Sequence, residues 1–358
     1  MRNKQKLNLT ARRGEGFGVF AYVLFALAAL AAFLLSTCLG SVPVPLSDSI
    51  SAMLGGLRHA IFPKFDAPTG LAATIVNTVR VPRALSAGLS GAVLALAGCA
   101  MQGLLKNPLA DGSTLGVSSG ASLGAVVAIV IGFTIPGIPF AGTTILSAGG
   151  AFLALLIIMT LAYKLDGSLS TNTIILVGVI FSMFMNSVIS ILVTFSGEHT
   201  RGIMFWTMGS MSGKRYSDVL LLLVSLLIFG GILLAHGREL NAFAVGEDNA
   251  RSVGVNVRRV KLTVLICVSA LVGVAVSVGG TIAFVGLVTP HMTRMVVGPN
   301  HRKLMPASCV AGAAFLMLSD LASRTVLSPR ELPIGVVTSL VGAVLFVYIF
   351  YKSRKGSR

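Results

Sequence analysis

Charged residues are scarce in this chain of 358 residues, because Asp, Glu, Lys and Arg together make up only 11% of it. Soluble domains carry about 25% of these residues, so less than half of the usual solvating charge is present. Aromatic residues are also few, at 7% with one Trp, whereas apolar residues reach 54%. This composition excludes a soluble enzyme, a secreted module and a disordered chain, and it predicts a polytopic membrane protein.

The sequence also lacks the common motifs of phosphate and metal chemistry. It contains no GxxxxGK[ST] loop, which would cradle the phosphates of ATP, and no HExxH string. Cys38, Cys99, Cys267 and Cys309 lie in or beside apolar segments without a CxxC pair, so they are interpreted as small packing residues. We therefore predict no catalytic residue, no metal site and no cofactor bound by this chain.

Long charge-free runs, such as 112–163 and 262–293, exceed the roughly 20 apolar residues that cross a hydrocarbon core. Pro136-Gly137-Ile138-Pro139 divides the first run, and Gly279-Gly280 divides the second and leaves a short, partial second helix. The prediction is an all-α membrane protein with about ten transmembrane helices, at 17–39, 84–105, 113–134, 140–163, 170–196, 218–236, 260–279, 281–296, 304–323 and 333–351.

The distribution of Lys and Arg predicts that both termini are cytoplasmic. With that orientation, the segments inside hold 19 of these residues and the segments outside hold 9, which agrees with the positive-inside rule. The formal net charge of +16 therefore indicates membrane topology rather than nucleic-acid binding. The predicted parts are a basic N-terminus (1–16), one permease domain (17–351) and a basic tail (352–358).

Two connecting segments are long enough to have structure of their own. Residues 40–79 are predicted outside, with four prolines and short amphipathic pieces, and residues 237–259 are predicted inside, as two short helices around Gly246. Acidic side chains are almost absent from the predicted spans, where the two carboxylates, Asp218 and Asp320, lie at or near an end. Proton-coupled carriers usually keep Asp, Glu or His at mid-membrane, so this absence weakens the hypothesis of an ion-coupled secondary transporter.

Local strings occur along nearly the whole chain in a fixed order. They are Arg80-Val-Pro-Arg83, Gly98-Cys-Ala-Met-Gln102, Asn107-Pro-Leu-Ala110, Leu115-Gly-Val-Ser-Ser-Gly-Ala121, Ala244-Val-Gly-Glu-Asp-Asn-Ala-Arg-Ser-Val-Gly254, Phe284-Val-Gly-Leu-Val-Thr-Pro-His291 and Glu331-Leu-Pro-Ile-Gly335. Together they resemble the permease subunits of binding-protein-dependent ABC importers for ferric siderophores, haem and vitamin B12, the type II importers. Asp111-Gly112 departs from that pattern, in which proline often follows the acid.

The resemblance implies a subunit of the prokaryotic cytoplasmic membrane, embedded in lipid, that forms a homodimer or a heterodimer with a related permease. Two cytoplasmic ATPase chains would bind ATP and Mg²⁺, and an extracytoplasmic binding protein would deliver the cargo. An iron–siderophore complex is the leading cargo, and cobalamin and haem stay open in the same family. The alternative from another class is the ion-coupled secondary transporter, whose uptake would persist without ATP.

The resemblance also implies roles for particular residues, each with a plainer alternative. ATPase coupling is assigned to Ala244, Gly246, Glu247, Ala250 and Gly254, which could instead form a solvated loop. A cytoplasmic gate is assigned to Asn107, Leu109, Thr171 and Asn172, where helix capping is the alternative. Docking of the binding protein is assigned to Arg80, Arg83 and Arg324, which could instead reach lipid headgroups. Gln102 is a pathway candidate, or a partner in interhelical hydrogen bonds.

Overall fold

The computed structural model describes residues 2–40, 42–62, 64, 66, 68–135, 141–167 and 170–355. Within these ranges the chain is built from helices, turns and loops, which confirms the all-α prediction. The first eight helices are α1 Arg2–Cys38, α2 Leu46–Ile61, α3 Leu71–Thr74, α4 Val81–Leu105, α5 Val117–Val130, α6 Ala141–Leu165, α7 Thr171–Phe195 and α8 Thr200–Thr207. The others are α9 Tyr216–Ser225, α10 Gly231–Ala235, α11 Gly237–Val245, α12 Glu247–Ser252, α13 Val257–Gly279, α14 Val285–Val297, α15 His301–Thr325 and α16 Ile334–Lys355.

Every predicted span overlaps a helix, but not all of these helices are long enough to cross a bilayer alone. Seven helices of the described ranges have the length and hydropathy of membrane spans: Val19–Cys38, Leu71–Leu105, Ala141–Leu165, Thr171–Phe195, Tyr216–Ala235, Val257–Gly279 and His301–Thr325. Two of them are continuous through π-helical turns, Ile75–Arg80 between α3 and α4 and Leu226–Gly230 between α9 and α10. The segments α5 and α16 are shorter apolar helices.

The helix α14 is short, as the sequence predicted, because it has only 13 residues. The span predicted at 113–134 differs from the structure, since a 3₁₀ turn at Gly112–Leu115 precedes α5. Gly116 separates the two with a φ of +77°, which lies in the left-handed region that favours glycine. The turn predicted at 136–139 lies outside the described residues.

The helix α4 lies at the centre of the bundle. It belongs to the span Leu71–Leu105, in which 89% of the most apolar stretch of 18 residues is buried. It packs against α13, α14 and α15, and glycines bring the backbones close together. A Cβ atom at Gly91 would lie 2.2 Å from the carbonyl oxygen of Gly312, and one at Gly98 would lie 1.9 Å from that of Gly286. Small residues at helix crossings allow this close packing, which is how helices associate where water does not drive them together.

Contacts between residues far apart in the sequence show which loops lie at the same end of the bundle. At one end the Tyr22 hydroxyl donates to the carbonyl of Lys303, and Asn241 hydrogen-bonds to Asn300. At the opposite end the Tyr216 hydroxyl donates to the carbonyl of Asn77. These groups are the ones that the sequence predicted to be inside and outside, respectively. The two ends are called the inner end and the outer end. The side of the membrane that each of them faces stays a prediction.

The half-buried side chain of Lys214 joins the outer loops to the bundle. Its ammonium group donates to the carbonyl of Val278 near the end of α13. Burial lowers the pKa of this amine, while Asp218 acts in the opposite direction. A charged donor on a helix-end carbonyl satisfies one of the acceptors that a helix leaves unpaired, so Lys214 fixes the loop between α8 and α9 to α13.

Candidate functional site

The predicted coupling segment forms a compact unit of two short helices, α11 and α12, at the inner end. Gly246 separates them with a φ of +137°, a conformation that disfavours any side chain. Ala250, a residue of α12, is fully buried against the rest of the protein, whereas Ala244 and Gly254 are exposed. The prediction of two helices around a glycine is confirmed, and Ala250 shows that α12 packs on the protein instead of lying free in solvent.

Polar contacts fix this coupling unit to two long helices. The Glu247 carboxylate lies 2.8 Å from the ammonium of Lys261, whose side chain is 2% exposed on α13. The Asn241 amide oxygen accepts from the backbone N–H of His301, the first residue of α15, at 2.8 Å. Buried pairs of this kind position elements even where they add little net stability. The coupling unit is therefore attached to both α13 and α15.

Val245 and Val253 are exposed apolar residues of the coupling unit. Their exposed fractions are 71% and 73%, which are high values for aliphatic side chains. Val245 ends α11 and Val253 follows α12, so one of them lies at each end of the second helix of the unit.

The four predicted gate residues lie at helix boundaries of the inner end. Asn107 follows Lys106, which has a φ of +51°, and its side-chain oxygen accepts from the backbone N–H of Leu109 at 2.9 Å. Leu109 is exposed. Thr171 and Asn172 begin α7, for which the Ser170 hydroxyl is the N-cap and accepts from Thr173. Capping chemistry is thus present at both positions, and gating stays a prediction.

The three predicted docking arginines are buried at the outer end, each at most 6% exposed. Arg83 lies 3.0 Å from Asp320 and 2.8 Å from Glu331, and Arg324 lies 3.4 Å from Asp320. We call these four residues the outer ion cluster. It joins α4 and α15 to the loop before α16, because its members come from all three. Docking through these arginines stays a prediction, and it would require their present partners to be released.

Arg80 is held separately by backbone carbonyls. Its guanidinium group donates to the carbonyl of Cys38 at 2.7 Å and to those of Thr37 and Val42. Cys38 ends α1, so Arg80 satisfies acceptors that the helix leaves unpaired. The side chain ties the end of α1 to the start of α4.

Gln102, the predicted pathway residue, is buried between α4 and α14. Its amide nitrogen donates to the carbonyl of Leu287 at 3.1 Å, and its oxygen accepts from Arg294 at 3.0 Å. In this conformation Gln102 connects the two helices, as the alternative interpretation of an interhelical hydrogen bond predicts.

A cavity of about 250 Å³, open to the surface at the exposed Asn186, lies between α4, α5, α7, α13 and the segment before α14. Its lining includes a carboxylate, an amide and four hydroxyl groups, which belong to Asp111, Asn186, Ser118, Ser119, Ser122 and Thr281. In the described ranges no three His, Cys, Asp or Glu residues are grouped as a metal site would require. The cavity is therefore suited to hydrogen bonding with water or a polar solute.

The FecCD transport family matches residues 27–352, which is nearly the whole chain. The chain belongs to the FecCD transport family. It is 40% identical over 278 residues to the cobalamin import system permease protein BtuC of Halobacterium salinarum, covering 78% of this chain and 73% of that protein. It is 36% identical over 336 residues to the iron(3+)-hydroxamate import system permease protein FhuB of Bacillus subtilis, covering 92% and 85%.

A solved structure supports the same assignment at the level of the fold. It is described as a metal-chelate type ABC transporter in an inward-facing conformation, and it matches with a TM-score of 0.79 and 30% identity, covering 92% of this chain and 98% of that one. The FecCD chain is thus a permease of a type II ABC importer, a class that works with ATPase and binding-protein partners. It is an integral protein of the cytoplasmic membrane.

Asp111 is the residue of this FecCD chain that sequence reasoning placed wrongly. The predicted spans 84–105 and 113–134 leave it in the loop that connects them. In the structure a Cβ atom at Gly286 would lie 3.6 Å from the Cβ of Asp111 and 2.9 Å from the carbonyl oxygen of Leu94, halfway along α4. Asp111 therefore lies level with the middle of the bundle, because the chain turns back inward after α4.

Gly112 is the residue of the sequence that indicates this return of the chain into the bundle. A Cβ atom at Gly112 would lie 2.3 Å from the side chain of Val272 in the middle of α13. Irregular backbone at membrane depth is tolerated only where it is buried in protein or lines a cavity. A non-helical segment that begins at Asn107-Pro108 and contains such a glycine could have been interpreted as re-entrant.

Proposed function

We propose that this chain forms the transmembrane pathway of an ATP-driven importer that carries an iron–siderophore complex into the cytoplasm. The coupling unit at the inner end is the observation that supports the ATP-driven mechanism. It is a rigid unit with exposed apolar residues, and it is attached to α13 and α15 by buried polar contacts. ATP and Mg²⁺ would be bound by two separate ATPase chains, each docked on the coupling unit of one permease in a homodimer or a heterodimer.

Cobalamin and haem are the alternative cargoes. Relatives are named for iron(3+)-hydroxamate, iron(3+) dicitrate, cobalamin, hemin and molybdate import, so the family does not select among them. Family membership favours ATP-driven import over the ion-coupled secondary transporter. Uptake of radiolabelled iron as a ferric hydroxamate, into proteoliposomes with the cognate ATPase and binding protein, tests the proposal. Uptake of labelled cobalamin or hemin into the same proteoliposomes, with no uptake of the ferric hydroxamate, would show that the cargo is one of the alternatives.

The outer end is the proposed docking surface for the binding protein. Arg83 and Arg324 contact the carboxylates of Asp320 and Glu331, and the guanidinium group of Arg80 lies near Arg324. These five side chains together carry one excess positive charge. Acidic side chains of a partner would be attracted to it, mainly with an effect on association rate and orientation. A carboxylate of the partner could replace Glu331, whose side chain is 36% exposed, on Arg83.

Replacing Gly246 with leucine is expected to abolish the stimulation of ATP hydrolysis by loaded binding protein while the membrane fold remains. The φ of +137° strains any side chain, so the angle between α11 and α12 must change. The measurement is ATPase activity of the reconstituted complex, with elution in detergent as the test of folding. Gly231→Leu is the matched control, because nothing lies within 4 Å of a Cβ atom there. Full stimulation in Gly246→Leu would contradict coupling through this unit.

Cysteines at positions 109 and 172 of the two permeases of the dimer are expected to crosslink in one nucleotide state only. Leu109 is exposed beside the Asn107 turn and Asn172 is exposed at the start of α7, so neither substitution disturbs packing. The crosslinked fraction would be measured with a short bifunctional maleimide in nucleotide-free and ATP-trapped complexes. Equal crosslinking in both states would argue against gating and leave helix capping as the role of these segments.

A further inference from the structure

The helix α2 presents three chemically different faces. Ser49 and Ala52 are buried against the protein. Asp48, Ser51 and Arg58 lie on a polar, exposed face. The third face is formed by five aliphatic side chains that are each 39% to 61% exposed: Leu46, Ile50, Leu54, Leu57 and Ile61. We call these five residues the apolar stripe.

The apolar stripe has the spacing of one continuous helix face. Its members follow one another at intervals of four, four, three and four residues, which at 3.6 residues per turn confines them to a sector of about 80°. The polar residues and the buried residues occupy the other sectors. The apolar face suits contact with lipid, the polar face contact with water and the buried face contact with protein. All three contacts are possible at once only where lipid, water and protein meet.

Contacts with two neighbouring elements place α2 at such a boundary. The Asn77 amide donates to the carbonyl of Ala52 at 2.9 Å, and a Cβ atom at Gly56 would lie 2.5 Å from the same amide group. The Thr37 hydroxyl lies 4.0 Å from the sulfur of Met53. Thr37 is the penultimate residue of the apolar window that ends at Cys38 in α1. The middle of α2 therefore lies at the outer end of the bundle, at the depth where the apolar span of α1 stops.

We propose that α2 is an interfacial helix whose apolar stripe is embedded between the headgroups and acyl chains of the bilayer. Amphipathic helices at this depth bury an apolar face by several ångströms while the polar face stays in water. The stripe is entirely aliphatic, whereas protein interfaces are enriched in Tyr, Trp and Arg at their centre. Leu35 and Leu39, at the end of α1, are exposed aliphatic residues as well. Only the choice of the outer leaflet depends on the proposed topology.

Tryptophan fluorescence in bilayers tests the embedding. The single Trp206 allows a Trp206→Phe background, into which Leu54→Trp places an indole on the apolar stripe and Ser51→Trp places one on the polar face as control. The protein is reconstituted in nanodiscs of phosphatidylethanolamine and phosphatidylglycerol, with and without bromine on the acyl chains. We expect blue-shifted emission from Leu54→Trp and bromine quenching at least about twofold stronger than for Ser51→Trp.

Two outcomes would overturn the proposal. Water-like emission from Leu54→Trp, with quenching no stronger than in the control, would place the stripe in solvent. Blue-shifted emission without bromine quenching would place it against protein, such as a second permease or the binding protein. Leu57→Trp, one turn further along the same stripe, provides an independent position if Leu54→Trp does not fold. Transport activity is not needed for any of these measurements, so they are independent of the proposed cargo.

Discussion

Replacing Asp320 with alanine is expected to lower the free energy of unfolding by about 3–5 kcal/mol, the usual cost of removing one partner from a buried ion pair. Asp320 is fully buried and faces Arg83 at 3.0 Å and Arg324 at 3.4 Å. Without this carboxylate, Arg324 would lose the acidic side chain that it contacts, while Arg83 would keep its contact with Glu331. Two buried positive charges would then repel each other, and the helices α4 and α15 would lose their polar connection.

Unfolding by sodium dodecyl sulfate in mixed micelles measures this effect. Glu331→Gln is the matched control, because this partner of Arg83 is 36% exposed and its replacement retains a hydrogen-bonding group; its expected cost is about 1 kcal/mol. A midpoint for Asp320→Ala equal to that of the wild type would show that water or lipid headgroups can replace the carboxylate. The outer ion cluster would then be a surface feature, contrary to its burial.

Replacing Gly98 with leucine is expected to prevent the packing of α14 on α4 and to abolish transport. A Cβ atom at this position would lie 1.9 Å from the carbonyl oxygen of Gly286, 2.5 Å from its carbonyl carbon and 2.6 Å from its Cα. All three are backbone atoms, so no side-chain rotation can relieve the overlap. Overpacking of a core usually lowers the free energy of unfolding by about 1–3 kcal/mol and occasionally by more. For Gly98→Leu we expect a loss of about 3 kcal/mol or more.

The yield of monodisperse protein in detergent measures the outcome. Gly149→Leu is the matched control, since it makes the same change in the helix α6 but nothing lies within 4 Å of its Cβ position. The control should be recovered in wild-type amounts, while Gly98→Leu should aggregate or be degraded. Wild-type recovery and transport in Gly98→Leu would mean that α4 and α14 can separate without loss of function.

The sequence predicts the helices well, because a membrane span requires a long apolar run whatever its neighbours are. All ten predicted spans overlap helices, and the break at Gly279-Gly280 leaves the short α14 as expected. The two helices around Gly246 were also predictable, since Gly246 lies between two short runs of helix-forming residues. These features depend on local composition and on backbone freedom, both of which are visible in a single sequence.

The partners of charged and polar side chains were not predictable in the same way. Arg83 and Asp320 are separated by 237 residues, so no local pattern indicates that they meet. Arginines that the resemblance assigned to docking are therefore found in internal contacts. Asp111 was misplaced for the same reason, because its depth depends on the packing of Gly112 against Val272 in α13.

The helix α15 runs without interruption from the coupling unit to the outer ion cluster. His301 at its first residue is bonded to Asn241 of α11, and Asp320 and Arg324 near its last residue belong to the cluster. An α-helix of 25 residues is about 38 Å long. Pro306 removes one backbone donor near the inner end of this helix, and the turns that follow continue to Thr325. In the proposed importer, a tilt of the coupling unit at Asn241 would be transmitted through α15 to the carboxylate of Asp320 at the opposite end of the bundle.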